Sequence, residues 1–386
     1  MKIAYLGKIQ LTDTDLPYLN AAQKDADITY LLEITPRFLK GPAFNIDKIY
    51  GKTGIFKAVE AYPQFEKLAS FIDIDKFYVV NTAGHLWQLK AFWTNLLLLF
   101  FIMRHGFNVI HVLWPLNVYE FILYFLRRCM ILTVHDPFPH SGLDTFIVRL
   151  RRKFAFWLIP RFIILNKVQK QNFIDFYKIR EDRVVESHIS CCTYLQTIKP
   201  KPDVQTGGKK YILFTGKISE YKGLDYLLPA MVRVHEAYPD VSLIVAGSGT
   251  FHFDISKYET FDYIEFRNRY IPDNELVGLI NNSEFLVCPY TDATQSGVIM
   301  SAFAFAKPVI ATNVGGLPDM LGNGKYGMVV ERKNINSLAE SIVRLLSDDV
   351  LLKLLSDNIK SDYLTGGNSW NMIAADIKNE YFKVNS

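Results

Sequence analysis

The stretch Phe214–Leu228, FTGKISEYKGLDYLL, decides how this chain is read. It opens on the end of an apolar run, Tyr211–Thr215, that suits a buried strand. Gly216 ends the run and permits a tight turn. Leu224–Ala237 then repeats apolar residues at helical spacing. Strand, glycine turn and amphipathic helix in that order predict one unit of a parallel sheet covered by helices. Lys217 and Lys222 flank the turn and the helix entrance, where two ammonium groups can clamp a diphosphate.

Downstream the same grammar repeats. Val241–Ala246, Tyr263–Phe266, Phe285–Pro289 and Pro308–Thr312 read as strands. After the third of these comes Thr294-Gln295-Ser296-Gly297-Val298, leading into the apolar helix Val298–Ala306. Free amides at a helix start, among small residues, form an anion site to which Ser296 adds a hydroxyl. Val314-Gly315-Gly316 follows the last strand and lets the backbone approach closely. Upstream, Lys2–Gly7, Asp27–Ile34, Phe77–Asn81, Asn108–Leu113, Cys129–His135 and Phe162–Asn166 read as a first series. Its Val134–His140 segment, VHDPFPH, puts His135 at a strand end, where an imidazole can meet a substrate or leaving group. Asp136 and His140 are further polar groups on that loop. The Pro- and Gly-containing segment 197–209 reads as a linker. The fold class expected is α/β, with two doubly wound Rossmann-like domains facing a cleft: 1–200 and 207–366.

Composition fits this. The chain has 386 residues, 49% hydrophobic and 21% charged, enough for two cores. Its four cysteines have no CxxC spacing, which argues against a disulfide framework or zinc ribbon and for a reducing compartment. The start, MKIAYLGKIQ, does not read as a signal peptide. The apolar run Ala91–Met103 is shorter than the ~18 residues a spanning helix needs, so no polytopic membrane protein is expected. Asp13/Asp15 and Asp73/Asp75 form two DxD patterns, read as surface carboxylates, and no metal is expected.

FTGKISEYKGLDYLL, SLIVAGSG and SGVIMSAFAFAKPVIATNVGGLPDML together resemble the retaining glycosyltransferases of family 4, which have the two-domain GT-B architecture. In the first half the likeness rests mainly on LTVHDPFPH. The resemblance implies sugar transfer from a nucleotide diphosphate sugar, with retention at the anomeric carbon and without a cofactor. By position, it implies that Lys217 and Lys222 hold the diphosphate and that the amides of Ser296, Gly297 and Val298 cap it. His135 would lie near the donor sugar, with Asp136 and His140 on the acceptor side. Gly7, Lys8, Gly216, Thr294, Gln295 and Ser301 would complete the donor site, and Arg267, Arg269 and Tyr270 would border the base. It also implies that the segment 368–386, with Trp370, Ile373 and Ile377 on one helical face, returns to the first domain. The chain departs from the family at several points. Ala293 and Ser301 stand where two glutamates are usual, TQSG replaces EGFG, Lys217 replaces an arginine, and Gly7-Lys8 replaces a glycine pair. The missing acids also suit a catalytically silent homologue serving a transferase complex. They argue against a nucleotide-sugar epimerase of this architecture.

Charge is uneven. Residues 1–200 hold 25 Lys or Arg and 17 Asp or Glu, a balance of +8, which leaves −4 for the rest. Arg149–Lys170 contains seven basic residues, none acidic, interleaved with aromatics. That pattern reads as a membrane-surface segment suited to a lipid-linked or glycolipid acceptor. Phe121–Leu126 could add apolar contact, whereas Leu96–Met103 reads as a core face. A peripheral place on the inner, cytoplasmic face of a membrane is expected. A nucleic-acid partner is not, because the basic stretch is local and no nucleic-acid module is present.

Overall fold

The computed structural model describes residues 1–83, 87–135, 137–138, 145–165, 167–201 and 210–384. They form two compact units, Met1–Ile189 with Trp370–Ser386, and Ser190–Ser369.

The first unit is built on an eight-stranded sheet. Its strands are β1 (Lys2–Lys8), β2 (Asp27–Ile34), β3 (Gly54–Lys57), β4 (Phe77–Asn81), β5 (Val109–Val112), β6 (Met130–Val134), β7 (Arg161–Ile164) and β8 (Val184–Glu186). Their order is β3-β4-β2-β1-β5-β6-β7-β8, with β3 alone antiparallel to its neighbour. All residues of β5 and β6 are buried, as expected of parallel strands covered on both faces. The order reverses between β1 and β5. Helix α1 (Thr12–Ala22) joins β1 to β2 in one direction. Helices α2 (Trp87–His105) and α3 (Phe146–Leu158) join β4 to β5 and β6 to β7 in the other. Right-handed crossovers therefore place α1 on one face and α2 with α3 on the opposite face.

On the α1 face the C-terminal helix Trp370–Val384 packs beside α1. A buried polar network ties them to the sheet. His111 of β5 contacts the Tyr381 hydroxyl through Nδ1 and the Thr133 hydroxyl through Nε2, both at 2.7 Å, and Tyr381 meets the Tyr18 hydroxyl at 2.6 Å. Asp15 accepts hydrogen bonds from the hydroxyls of Tyr5 (3.1 Å) and Tyr30 (3.0 Å). This corrects the expectation of a surface carboxylate at Asp15, which is fully buried because α1 turns it onto two tyrosines of the sheet. Asp73 and Asp75 are exposed, and the Asp73 side chain accepts the Asp75 amide at a turn start.

The second unit has six parallel strands: β9 (Lys210–Thr215), β10 (Val241–Ala246), β11 (Ile264–Arg267), β12 (Leu286–Cys288), β13 (Val309–Thr312) and β14 (Gly327–Val330). Their order is β11-β10-β9-β12-β13-β14. This is the doubly wound arrangement with its reversal between β9 and β12, and ligands bind such sheets beyond the carboxyl ends of the strands at the reversal. Helix α4 (Leu224–Ala237) follows β9 and α5 (Gly297–Ala304) follows β12. Apolar clusters fill both sides of the sheet.

The first unit ends at Ile189, not near residue 200. Ser190–Lys201 is held by the second unit: Cys191 is buried in its core, the Cys192 amide donates to Met300 O at 3.1 Å, and Lys201 N donates to Asn274 O at 3.0 Å. Much of the segment read as a linker, 202–209, lies outside the described residues.

Candidate functional site

Two of the motifs meet at the reversal of the second sheet. The loop after β9 runs from Gly216 to Gly223 and the loop after β12 from Pro289 to Ser296. A Cβ on Gly216 would lie 3.4 Å from Val298 Cγ2, so the first loop touches the start of α5. Gly223 has φ +68°, and a Cβ there would fall 1.9 Å from the Pro289 carbonyl oxygen. Only glycine allows that backbone shape and that approach together. The Thr291 amide donates to Tyr221 O at 2.8 Å, stitching the loops. The turn after β13 joins from the other side, with the Gly316 amide donating to Thr294 O at 3.2 Å.

Two cations lie on this platform. Lys222 is 9% exposed, with Nζ 3.6 Å from the Tyr290 ring centroid and 5.0 Å from that of Tyr221. Burial lowers its pKa, because an ammonium ion loses water there. Lys217 is exposed. Among the described residues, neither lysine has an acidic side chain within ion-pair distance. An unneutralised, partly desolvated ammonium beside a helix start is suited to a phosphoanion.

The α5 entrance differs from the sequence expectation in detail. The Ser296 amide points to Met320 Sδ at 3.4 Å and its hydroxyl lies 3.3 Å from the Tyr290 hydroxyl. Gly297 and Val298 are thus the amides left at the helix start, and the space beside Gly297 is open. Thr294 and Gln295 are exposed. Ser301 donates to Gly297 O at 2.9 Å and so is turned along its own helix. The pairing of Tyr290 with Lys222 and Ser296 went unread in the sequence. Its position just after an apolar strand was the available signal.

At the end of β11, Arg267 pairs with Glu265 at 2.6 Å and with Glu275 at 3.0 Å, and Arg269 pairs with Glu275 at 2.7 Å. Arg269 chiefly holds the Glu275 carboxyl below its usual range. The two arginines are thus tied to carboxylates, whereas the Tyr270 ring is 65% exposed. Glu275, unread in the sequence, organises this corner.

The remaining residues belong to the first unit. Lys8 pairs with Glu120 at 3.1 Å and Glu33 at 3.3 Å and sits 3.9 Å from the Trp114 ring centroid. Burial works against its charge, but Glu120 and Glu33 outweigh it and raise its pKa. Its charge is therefore balanced within the first unit. A Cβ on Gly7 would lie 2.3 Å from Tyr30 Cε2, so packing of that ring already accounts for the glycine. His135 directly follows β6 and is partly buried. Burial, and then the nearby His135, push the His111 imidazole down to about 3. Asp136 and His140 lie outside the described residues.

Residues 209–348 match the family described as Glycosyl transferases group 1. That match covers most of the second unit, and likeness to solved structures over the full length shows a GT-B fold. An uncharacterised glycosyltransferase of Methanocaldococcus jannaschii is 30% identical over 180 residues, 45% of each chain. The capsular polysaccharide biosynthesis glycosyltransferase CapM of Staphylococcus aureus is 24% identical, over 56% of this chain and 60% of that protein. The match thus spans under half of the first relative and under two thirds of the second. Among solved structures, Anabaena HepE in complex with UDP-glucose aligns with TM-score 0.63 and 16% identity, over 98% of this chain and 100% of that one.

Proposed function

We propose that the chain is a retaining glycosyltransferase that moves a hexosyl group from a nucleotide diphosphate sugar to a glycan or lipid-linked acceptor. The setting proposed is surface polysaccharide or glycolipid assembly on the cytoplasmic face of a membrane. The observation that carries this is the nearly buried Lys222, without an ion-pair partner among the described residues, beside the open start of α5 at the reversal of a doubly wound sheet. HepE with UDP-glucose and the capsular CapM protein support the donor class and the setting.

Chemistry follows from charge. Breaking the bond between sugar and diphosphate leaves negative charge on the phosphates and positive charge on the sugar. Lys217, Lys222 and the amides of Gly297 and Val298 stabilise the first of these, and fixed dipoles do so without reorganising. Gln295 is proposed to contact the sugar, and Tyr270 the base. With two lysines supplying this charge, we propose turnover without a divalent ion.

A second reading is a silent homologue within a transferase complex. It draws on Ala293 and Ser301, which replace carboxylates, and on the Ser301 hydroxyl being turned along its own helix. Incubation with UDP-, GDP- and ADP-sugars, with and without lipid-linked acceptors, separates the two. Release of nucleoside diphosphate from one donor is expected, unchanged by EDTA and reduced about 10²–10³-fold in Lys222→Ala. Nucleotide binding with no turnover under any acceptor would favour the silent homologue.

A further inference from the structure

Over one face of the first sheet lies a layer that is apolar on both of its sides. It consists of α2, the turn Phe121–Cys129 and α3. Its inner side fills the core with Leu98, Ile102, Leu123 and Phe156. Its outer side carries Trp93, Phe100, Phe121, Phe125, Leu150 and Trp157, all more than half exposed, with Phe125 at 78% and Trp157 at 74%. Trp93 and Phe100, like Leu150 and Trp157, are two helical turns apart and share a helix side. The Phe121 ring stacks on Phe154 at 5.2 Å, Phe154 lies 6.2 Å from Trp157, and α2 packs against the same turn. The patch is therefore continuous. Monomeric soluble surfaces rarely leave such a patch bare.

Charge identifies what covers it. The three segments hold eight Lys or Arg and no Asp or Glu. A second copy of the chain would bring the same charge to the same face, which opposes self-pairing. Exposed Arg104, Arg127, Arg128 and Lys153 accompany the rings, an arrangement complementary to an anionic headgroup layer over hydrocarbon. Among the described residues no helix is long and apolar enough to cross a membrane, so α2 would lie on a bilayer and not through it. We propose that this face docks flat on an anionic phospholipid bilayer, its rings at headgroup depth and its basic groups on lipid phosphates. The docking surface is not Arg149–Lys170 as a whole. Arg161 is paired with Glu380 and Lys170 with Glu186, while α2 and the Phe121 turn, outside that stretch, supply four of the six exposed apolar residues.

Phosphatidylcholine vesicles with and without phosphatidylglycerol, read by cosedimentation, test this without any sugar donor. Wild type should bind the anionic vesicles, weakly bind the neutral ones, and release as salt rises. Phe125→Ser/Trp157→Ser should lower partition at least about tenfold. Arg127→Glu/Arg128→Glu should do the same, since each basic residue at an anionic leaflet is worth about fivefold. Circular dichroism would check that both remain folded. Lys222→Ala should bind vesicles like wild type, so failure of the transferase reading leaves this result standing. The proposal is overturned by absence of binding to anionic vesicles or by binding that neither double variant weakens. Self-association that Phe125→Ser/Trp157→Ser abolishes would overturn it too.

Discussion

Lys222 combines two properties that oppose each other. Its ammonium is mostly removed from water, yet among the described residues no carboxylate lies within ion-pair distance, and the Tyr290 face returns only about 0.5–2 kcal/mol. Such a residue costs stability and gains its value when an anion arrives. Lys222→Met should therefore leave the unfolding free energy equal to wild type or higher, while affinity for a nucleoside diphosphate falls at least about tenfold. Calorimetric titration with denaturant melts would check both. A Met variant that binds as well as wild type would remove Lys222 from the site. Asp15 and His111 make a second residue-scale case. Unfolded, Asp15 is ionised above about pH 3.9 and His111 is protonated below about 6.5. Folded, burial pushes Asp15 well above the carboxylate range and His111 down to about 3. Above about pH 3.9 the buried Asp15 holds its proton more strongly and the buried His111 more weakly than in the unfolded chain, so their contributions to the slope of stability against pH have opposite signs and offset each other. Asp15→Asn leaves His111 alone, and stability should then fall as pH drops below about 6.5, by up to about 1.4 kcal/mol per unit. His111→Gln leaves Asp15 alone, and stability should fall as pH rises above about 3.9. Denaturant titrations between about pH 4.5 and 6 would read both slopes, and parallel slopes in wild type and both variants would contradict the assignment. The spacing of Lys217 and Lys222 was legible in the sequence because both sit on one local turn. The burial of Asp15 was not, since Tyr5 and Tyr30 come to it from separate strands.

At the scale of elements, the strand–glycine–helix units were readable wherever the strand was a long apolar run. The strands that escaped were β3, β8 and β14, edge strands only partly buried, which lack the fully apolar run that made the equally short β5, β12 and β13 readable. Helix α2 was half read: Leu98 and Leu99 are core, but Phe100 and Met103 are exposed, because only one side of a helix can face the sheet. Gly223 shows how tightly the two site loops are joined. Gly223→Ala forces a side chain onto the Pro289 carbonyl in a left-handed backbone, which should cost about 2–4 kcal/mol. Denaturant melts would check it, and a loss under about 0.5 kcal/mol would mean that the loops separate easily.

At the scale of the whole molecule, the second unit is an insertion in the first. Its boundaries are not legible from composition, because the polypeptide near residue 200 is held by hydrogen bonds to α5 and the segment before β12, partners far along the chain. Tyr381 shows what the return contributes. Its hydroxyl serves both His111 and Tyr18, so Tyr381→Phe should destabilise the first unit by about 1–3 kcal/mol while leaving the second unchanged. Truncation after Ser369 should go further, splitting the melting curve into a destabilised transition and a native-like one. A single unchanged transition would contradict that.

The insertion also imposes an order on synthesis. The second unit is one continuous segment and is complete once Ser369 has emerged, but the first must wait for the helix that carries Tyr381. From Ile189 to Tyr381, at about 5–20 residues per second, the wait is roughly 10–40 s. During it the nascent first sheet holds an open seat above His111, and the later domain matures before the earlier one. A ribosome stalled just short of Trp370 would carry a finished second domain on an unfinished first.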